Sequence, residues 1–520
     1  MNKQYDVLIL GTGIAGLSTA IKLADQGIKI ALVTRTEKPE ECNSGWAQGG
    51  IIYPTKDDES DLFKDILAAS SHTSDEYISK VLTESGSLMK ELLLERAKTS
   101  FKKDDNGELL FTKEAAHSRA RILFDGDHTG KSIELSLLNL IEKNKYKNLD
   151  LLTSRTAIDL ITPGHHGIDL KQRYHSHKVV GAYIFNQKEQ KVEKILAKKT
   201  IIATGGIGNL YLHNSNTYSS RGDGHAMAKR AGARIINMEF IQFHPTTLFI
   251  KKAHRRFLIS EALRGEGGKL LNISGNNFMK NYHKDAELAS RDIVSQAIWE
   301  EMISNKQDHV FLDMTGHNRD TLEKRFPTIF SKCLANGVDI SEDPIPVVPA
   351  AHYTCGGIQT NEWGETNVRD LYAVGEVACN GLHGANRLAS TSLLEGLVFG
   401  IKCAEKLVEE IKEASLYDED LIKDWENPDS DEADLSLVGQ DWLSLKQTMW
   451  NYVGIKRSRS RLLRAQAMFR EMGEQVQEFY QHNQLHDELI GLRNAIDVAQ
   501  MITEASLRNS KSVGCFYRED

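Results

Sequence analysis

The chain has 520 residues, of which 40% are hydrophobic and 26% are charged, and its formal net charge is −8. This composition is ordinary for a globular protein and excludes a disordered chain, while the net negative charge disfavours a nucleic-acid partner. The sequence contains no run of about 18 uninterrupted apolar residues, so it predicts no membrane span. The sequence begins with a strand-like run rather than a signal-peptide pattern, and its six cysteines form no CxxC pair. We therefore expect a cytoplasmic protein with reduced thiols and no bound metal.

The first 35 residues predict a strand, a glycine-rich turn, a helix and a second strand. Residues 5–10 and 28–33 are apolar enough for strands that are buried on both faces, and residues 17–26 have helical spacing. The turn at residues 11–16 has the pattern GxGxxG, whose glycines allow a tight bend and a close approach of the backbone to a pyrophosphate. The helix N-terminus behind the turn offers free N–H groups to phosphates. This order predicts a dinucleotide-binding unit.

Two later segments, residues 200–206 and 371–376, also predict strands that end in glycine or other small residues. Strands end in this way where a ligand lies against their carboxyl ends, so these distant segments are expected to build one nucleotide-binding domain. Apolar residues spaced three and four apart near the C-terminus predict about three helices. The predicted order is a nucleotide-binding domain (1–240), an inserted domain (241–351), the second part of the nucleotide-binding domain (352–411), an acidic linker (412–437) and a helical bundle (438–520).

The residues around the predicted turn favour a cofactor larger than NAD. Thr34 and Arg35 stand where a carboxylate usually contacts the adenosine ribose, which disfavours an enzyme that uses nicotinamide alone. A loop with three glycines at residues 43–50 allows the backbone to lie close to a flat ligand. The N–H groups of Ser392 and Leu393, at the start of a predicted helix, would face a ring that gains negative charge on reduction. An isoalloxazine ring fits these features.

Several polar residues in glycine-rich segments predict a site for a dicarboxylate. Guanidinium groups bind carboxylates through two parallel hydrogen bonds, and histidine N–H groups complete such a site. Outside a cluster of this kind, a single arginine is more often a surface residue. The candidate residues are His244, Ser260, Glu261, Arg264, Arg291, His352 and Arg387.

Six segments occur in an order that is typical of one family: AQGG, QFHPT, EALRGEGG, SRD, PAAHYTCGG and GANRLASTSLLEG. Over essentially the whole chain, the sequence resembles the flavoprotein subunits of succinate dehydrogenase and fumarate reductase, and within that family the L-aspartate oxidases. The resemblance implies an α/β fold with a Rossmann-like FAD-binding domain, an inserted α+β capping domain and a C-terminal helical bundle. The cofactor-binding residues that it implies are Gly11, Thr12, Gly13, Ile14, Ala15, Gly16, Arg35, Asn43, Ser44, Gly45, Trp46, Ala47, Gln48, Gly49, Gly50, Ala157, Thr204, Gly205, Asp223, Glu376, Ser392 and Leu393.

Two positions place the chain with the oxidases. Succinate dehydrogenases carry the histidine that is joined covalently to FAD where this chain has Asn43, so the resemblance implies non-covalent FAD. Glu114 matches the oxidase glutamate that faces the substrate amine, a group that succinate lacks. The departures from the oxidase pattern are Ala115 and Ala116 in place of glycines, Ser260 in place of a threonine, and Val513 and Phe516 in place of an arginine and a histidine.

The implied reaction is the oxidation of L-aspartate to iminoaspartate with reduction of FAD. O2, giving hydrogen peroxide, or fumarate would then take the electrons, and quinolinate synthase would use the product in NAD biosynthesis. His244, Ser260, His352 and Arg387 would hold the carboxylates of the substrate, and Glu114 would hold its ammonium group.

Arg291 matches the proton-transfer arginine of the family, with Glu261 and Arg264 as relays. A guanidinium group whose pKa is above about 12 is a poor base at neutral pH. We therefore expect Arg291 to act as an acid toward fumarate and only to stabilise charge during aspartate oxidation.

Three other functions compete with this interpretation. A soluble fumarate reductase or succinate dehydrogenase flavoprotein is opposed by Asn43 and Glu114. A flavoprotein that acts on tRNA also begins with GxGxxG, but the net charge and the dicarboxylate cluster oppose it, and a gel-shift assay would distinguish it. A non-catalytic interaction protein is the least expected, because the polar cluster is complete.

Overall fold

The hydrophobic N-terminal strand lies in the middle of a seven-stranded sheet in the computed structural model, which describes residues 3–114, 116–175, 177–251, 255–426 and 432–520. Ala115 and residues 427–431 of the predicted linker lie outside the described residues. The strands of the main sheet are Lys3–Leu10, Ile30–Val33, Leu149–Leu152, Arg155–Leu160, Gly181–Asn186, Lys191–Ile202 and Leu371–Ala373.

The parallel part of the main sheet places the three predicted ligand-facing turns side by side. Lys3–Leu10 pairs in parallel with Ile30–Val33 on one side and with Lys191–Ile202 on the other. The last residues of Lys191–Ile202 also pair in parallel with Leu371–Ala373. Because the carboxyl ends of parallel strands meet at one edge of a sheet, the turns that follow these strands converge there. The α/β class expected from the sequence is confirmed.

Two glycines make the turn after the first strand possible. Gly11 has a φ of +120°, and a Cβ on it would lie 2.1 Å from the carbonyl oxygen of Ala203. A Cβ on Gly16 would lie 2.0 Å from the carbonyl oxygen of Gly11. The following helix, Ile14–Ala24, begins before the predicted start at residue 17, because the small residues of its first turn carry no apolar periodicity.

The inserted region is built on a four-stranded antiparallel sheet, with the strand order Ile241–Leu248, Ile345–Thr354, Val310–Asp313 and Lys269–Leu271. The strand Ile345–Thr354 runs through the predicted domain boundary at residue 351, so a single strand carries the chain back to the nucleotide-binding region. The helices of the inserted region are Glu261–Gly265, Arg291–Ser304, Arg319–Arg325 and Pro327–Leu334.

Three helices form the C-terminal region, as the apolar spacing predicted: Leu435–Tyr452, Arg459–His482 and Asp487–Arg508. The first of them begins inside the predicted linker, which ends at residue 437. The third contacts the nucleotide-binding region, where Asn494 donates a hydrogen bond to Asp223 at 2.8 Å. The C-terminal bundle therefore packs directly against the nucleotide-binding domain.

The C-terminal tail returns to the core at the positions where it departs from the oxidase pattern. Phe516 is 1% exposed and packs edge-on against Phe240, with ring centroids 6.2 Å apart. The Arg457 guanidinium lies 5.0 Å from the Phe516 ring centroid. Cys515 donates its backbone N–H to the carbonyl oxygen of Ala385 at 3.0 Å. Apolar, cation–π and backbone contacts thus connect Phe516 and Cys515 to the core.

The remaining elements connect these layers. The other helices are Glu59–Ala69, Glu76–Thr83, Gly86–Met89, Lys90–Arg96 with π-helical bonding, Thr129–Asn144, Pro163–His166, Asp223–Arg230 and Thr391–Glu410. The short strands are Ile51–Ile52, Phe111–Thr112, Ile122–Leu123, Ile235–Ile236, Gly357–Gln359, Ala378–Cys379, Lys456–Arg457 and Tyr517–Arg518. Single 3-10 turns lie at Ser44–Trp46, Leu170–Tyr174, Gly208–Leu210, Met279–Asn281, Ala286–Leu288, Gly375–Val377 and Glu419–Leu421. Within the described ranges, no helix has both the length and the apolar character that crossing a bilayer requires.

Candidate active site

One cavity joins the carboxyl edge of the main sheet to the sheet of the inserted region, and it encloses about 1910 Å³ with its open mouth included. Three of the predicted site residues do not line this cavity: Gly16, Gly45 and Arg264. The predicted residues that line it are Gly11, Thr12, Gly13, Ile14, Ala15, Arg35, Asn43, Ser44, Trp46, Ala47, Gln48, Gly49, Gly50, Glu114, Ala157, Thr204, Gly205, Asp223, His244, Ser260, Glu261, Arg291, His352, Glu376, Arg387, Ser392 and Leu393.

One end of the cavity is formed by the turn and the helix that follow the first strand. Ser44 Oγ accepts the N–H of Ile14, the first residue of the helix, at 3.2 Å. A Cβ on Gly13 would lie only 3.1 Å from the same oxygen, so the bare backbone faces the cavity here. A helix N-terminus also directs a positive potential at its ligand. These residues fit a pyrophosphate group.

Arg35 borders the cavity, but the C-terminal bundle holds its side chain. The guanidinium donates to Asp487 at 2.5 to 3.1 Å and to Glu488 at 3.0 Å. Asp487 also accepts hydrogen bonds from Arg221 and Thr156. Burial raises the pKa of Asp487, but the two arginines outweigh it and hold this pKa well below its usual range. A contact between Arg35 and a nucleotide stays a prediction, and the role of Asp487 was missed from the sequence.

The middle of the cavity is lined by the loop at residues 43–50 and by the start of the helix Thr391–Glu410. A Cβ on Gly49 would lie 2.8 Å from Glu114 Oε1, and one on Gly50 would lie 2.3 Å from the carbonyl oxygen of Leu123. The loop therefore forms a thin wall of backbone in which side chains have no room. Such a wall, with the N–H groups of a helix N-terminus at its edge, fits an isoalloxazine ring.

Asn43 and Glu376 are polar groups on the walls of this part of the cavity. Asn43 donates from Nδ2 to Ser220 Oγ at 2.9 Å and accepts the N–H of Thr217 at 2.9 Å. Glu376 accepts the N–H of Thr354 at 3.0 Å, and burial raises its pKa to about 7. Glu376 can therefore donate as well as accept a hydrogen bond at neutral pH. An amide at residue 43 offers no ring nitrogen for a covalent bond, which fits a non-covalently bound flavin.

Three charged residues form a chain at the other end of the cavity. Glu261 accepts hydrogen bonds from Arg291 at 3.0 and 3.2 Å and from Arg264 at 2.9 Å. Burial raises the pKa of Glu261, but the two guanidinium groups outweigh it and lower this pKa to about 2. Burial lowers the pKa of Arg291, whereas Glu261 and Glu114 raise it above its usual value. All three residues of the chain are charged at neutral pH, and Arg291 is a very weak acid.

Arg387 is a buried cation whose hydrogen-bond partners are neutral. Its Nη1 donates to Ser392 Oγ at 3.1 Å, and its Nη2 donates to Gln242 Oε1 at 3.0 Å. Within the part of the chain that the structure describes, no atom accepts a hydrogen bond from its Nε. A buried charge without an anionic partner is costly, so the site is suited to receive a carboxylate.

His244 and His352 lie beside each other, with ring centroids 5.4 Å apart. His244 Nδ1 is 3.0 Å from the carbonyl oxygen of Thr246, and His352 Nδ1 is 2.8 Å from Ser215 Oγ. Burial lowers the pKa of both imidazoles well below 6.5, and the neighbouring guanidinium groups add to this effect. Both rings are therefore neutral at pH 7 and can bond to a carboxylate without adding charge.

Glu114 reaches this end of the cavity from the nucleotide-binding side. Its Oε2 accepts a hydrogen bond from Ser390 Oγ at 2.8 Å. Burial raises its pKa above the usual value, although Arg291 opposes this shift. A carboxylate placed among guanidinium groups is not needed to bind a simple dicarboxylate, and it indicates a ligand that also carries a positive group.

Two residues that hold the predicted site were not expected from the sequence. Gln242 bonds to Arg387, and Ser390 bonds to Glu114. Gln242 was detectable, because it lies two residues before His244 on one strand and side chains two apart share a face. Ser390 lies 276 positions from Glu114, so no local pattern indicates the pair.

The chain is similar to known proteins over nearly its whole length. The chain matches the FAD binding domain family over residues 6–393 and the fumarate reductase flavoprotein C-terminal family over residues 442–520. It is 40% identical to L-aspartate oxidase 1 of Ralstonia nicotianae, over 99% of this chain and 95% of that protein. It is 37% identical to the L-aspartate oxidase of Vibrio cholerae, over 99% of this chain and 96% of that protein. Among solved structures, the FrdA chain of E. coli quinol fumarate reductase aligns with a TM-score of 0.88 and 28% identity, over 100% of this chain and 92% of that chain.

Proposed function

Because this chain belongs to the L-aspartate oxidases, we propose that its cavity binds FAD without a covalent link and oxidises L-aspartate to iminoaspartate, as a step of NAD biosynthesis. The family predicted from the sequence motifs is confirmed by the full-length similarity to known members. One observation carries the substrate assignment: the Glu114 carboxylate lies among guanidinium groups, where an ammonium group would find its anion.

The residues of this chain bind and orient the substrate through all three of its charged groups. Arg387, His244 and His352 hold the two carboxylates. The Ser260 hydroxyl accepts the N–H of Ala262 at 3.3 Å, so its O–H remains free to donate to a carboxylate. Glu114 binds the ammonium group and thereby fixes the Cα–H bond relative to the cofactor. When bound, FAD supplies the two-electron acceptor.

The remaining parts of the proposal concern the acceptor, the product and the compartment. O2, giving hydrogen peroxide, is one electron acceptor, and fumarate is a second, because it presents two carboxylates to the same residues. Quinolinate synthase is the proposed consumer of iminoaspartate. All six cysteines are free thiols, which supports a reducing compartment such as the cytoplasm.

Anaerobic mixing of the FAD-loaded protein with L-aspartate, and separately with succinate, tests the proposed reaction. We expect L-aspartate alone to bleach the flavin absorbance, and the colour to return when air is admitted. Bleaching by succinate alone would assign the chain to the dehydrogenases and leave Glu114 without its role. Bleaching by neither compound would contradict both assignments.

The decrease of kcat/KM for L-aspartate at acid pH is expected to report the ionisation of Glu114. Only the carboxylate form binds an ammonium group, and burial raises its pKa above 4.5. As the pH falls through this raised pKa, kcat/KM for L-aspartate should decrease at a higher pH than for an exposed glutamate, whereas fumarate binding should not weaken. Steady-state kinetics across the acid range would check this. A loss on the acid side that persists unchanged in Glu114→Gln would contradict it, because His244 and His352 stay neutral there and cannot account for the loss either.

A further inference from the structure

Three buried residues form a hydrogen-bonded group behind Arg387. Glu395 accepts a hydrogen bond from the Tyr353 hydroxyl, and its Oε2 is also 3.0 Å from His383 Nε2. The Tyr353 hydroxyl lies 3.2 Å from the same histidine nitrogen. Tyr353 and His383 are 6% exposed and Glu395 is 3% exposed. Only the tyrosine reaches the cavity, so the other two residues have no direct contact with a ligand there.

The tyrosine connects this group to the carboxylate-binding arginine. The Cζ atom of Arg387 lies 4.4 Å from the centroid of the Tyr353 ring. A desolvated guanidinium over an aromatic ring is attracted by the negative potential of the ring face. Donation of the phenol proton to the Glu395 carboxylate increases the electron density of that ring, because hydrogen bonds polarise one another in a medium of low dielectric.

We propose that Tyr353, Glu395 and His383 are positioning residues that hold the Arg387 guanidinium in place and partly balance its buried charge before the substrate carboxylate arrives. The inference rests on the proposed function, in which Arg387 binds a substrate carboxylate. It assigns to Glu395 a role that acts through two other side chains and not through contact with the substrate.

The helix Thr391–Glu410 contributes two residues that act on the Arg387 guanidinium, one directly and one through Tyr353. Ser392, which accepts a hydrogen bond from Arg387, lies three residues before Glu395 on this helix. Residues three apart lie on the same face of a helix. The helix therefore accepts a hydrogen bond from Arg387 directly and, through Tyr353, supports it electrostatically.

Burial raises the pKa of Tyr353 well above 10, and the charge of Glu395 raises this pKa further. The phenol therefore stays protonated and continues to donate its proton to Glu395.

The same helix carries a matched control at its other end. Tyr372 donates its hydroxyl proton to Glu410 at 2.5 Å, and Lys199 Nζ lies 5.5 Å from the Tyr372 ring centroid. The two groups share their chemistry, a tyrosine between a glutamate and a cation. The control group lies outside the cavity lining.

The test measures the Kd of succinate on the FAD-loaded protein from the perturbation of flavin absorbance, in Tyr353→Phe and Glu395→Gln. We expect each change to raise this Kd about tenfold, and the KM for L-aspartate by a similar factor, with a smaller effect on kcat. FAD content and Tm should stay at the wild-type value. Tyr372→Phe and Glu410→Gln should leave the succinate Kd unchanged.

A double-mutant cycle with Arg387→Met, which removes the charge and keeps a long side chain, separates positioning from general damage. If the group acts through the charge of Arg387, Tyr353→Phe should have little further effect on the succinate Kd once Arg387 is methionine. An equal effect in both backgrounds, or an unchanged Kd in both single variants, would overturn the inference. If Glu395→Gln fails to retain FAD, Tyr353→Phe, which keeps the ring, decides the question by itself. Failure of the wild-type protein to oxidise L-aspartate would refute the proposed function but leave these binding measurements valid.

Discussion

Replacement of Arg291 by leucine should lower fumarate reduction by roughly a thousandfold or more, the range of a lost general acid, while FAD stays bound. Arg291 lies at the substrate end of the cavity, and its Nε and Nη2 both donate to Glu261. Its raised pKa keeps it protonated at neutral pH, so it does not act as a base, and we propose that it delivers a proton to the carbanion-like carbon of fumarate and stabilises charge. Leucine is shorter and apolar, and it offers no proton. The measurement is the fumarate-dependent oxidation of reduced methyl viologen under anaerobic conditions.

A second arginine of the same region provides the control. Arg325 is 62% exposed and forms a salt bridge with Glu266 at 2.6 Å, outside the cavity lining. Arg325→Leu removes one guanidinium from the inserted region without touching the site, and fumarate reduction should remain at the wild-type rate. Turnover of fumarate by Arg291→Leu at the wild-type rate would remove Arg291 from the acid role.

Replacement of Glu114 by glutamine should lower kcat/KM for L-aspartate about a hundredfold, the range expected when one partner of a buried charge pair is lost. The amide is isosteric with the carboxylate and keeps a bond to Ser390 available, but it cannot balance an ammonium group. Fumarate and succinate present no ammonium group, so their binding should change far less. Steady-state kinetics with L-aspartate and with fumarate on the same preparation would measure both effects.

The control for this variant comes from the same segment. Glu108 is exposed, and Glu108→Gln removes the same charge six positions away in sequence without altering the cavity. It should leave both substrates unaffected. Equal losses for L-aspartate and fumarate in Glu114→Gln would defeat the assignment of Glu114 as the amine partner.

The elements with strong local signals were predictable from the sequence. The turn at residues 11–16 requires glycine, because Gly11 has a positive φ and Gly16 leaves no space for a Cβ, and both constraints appear directly in the motif. The three C-terminal helices were equally visible in their apolar periodicity. Element ends were less predictable: the helix Ile14–Ala24 starts in a glycine-rich turn without periodicity, and the strand Ile345–Thr354 crosses the domain boundary predicted at residue 351.

Most candidate site residues were also recognisable, because each carries its chemistry within a short segment of distinctive sequence. Arg387 stood out as a guanidinium group in a glycine-rich segment, and Arg291 and Glu114 stood out by resemblance. The structure brings all three to one end of a single cavity. Their assignment to individual steps of the reaction stays a prediction that the two variants above would test.

The sequence by itself determined the residue types of this protein, their local conformation and the family to which the chain belongs. Only the tertiary structure decided which distant groups meet: Asp487 neutralises Arg35, and Glu395 polarises the tyrosine under Arg387. The physical reason is that local conformation depends on neighbours along the chain, whereas hydrogen-bond partners and burial depend on neighbours in space. Burial in turn sets the pKa values of Glu114 and of the two site histidines, and no pattern of nearby letters encodes it.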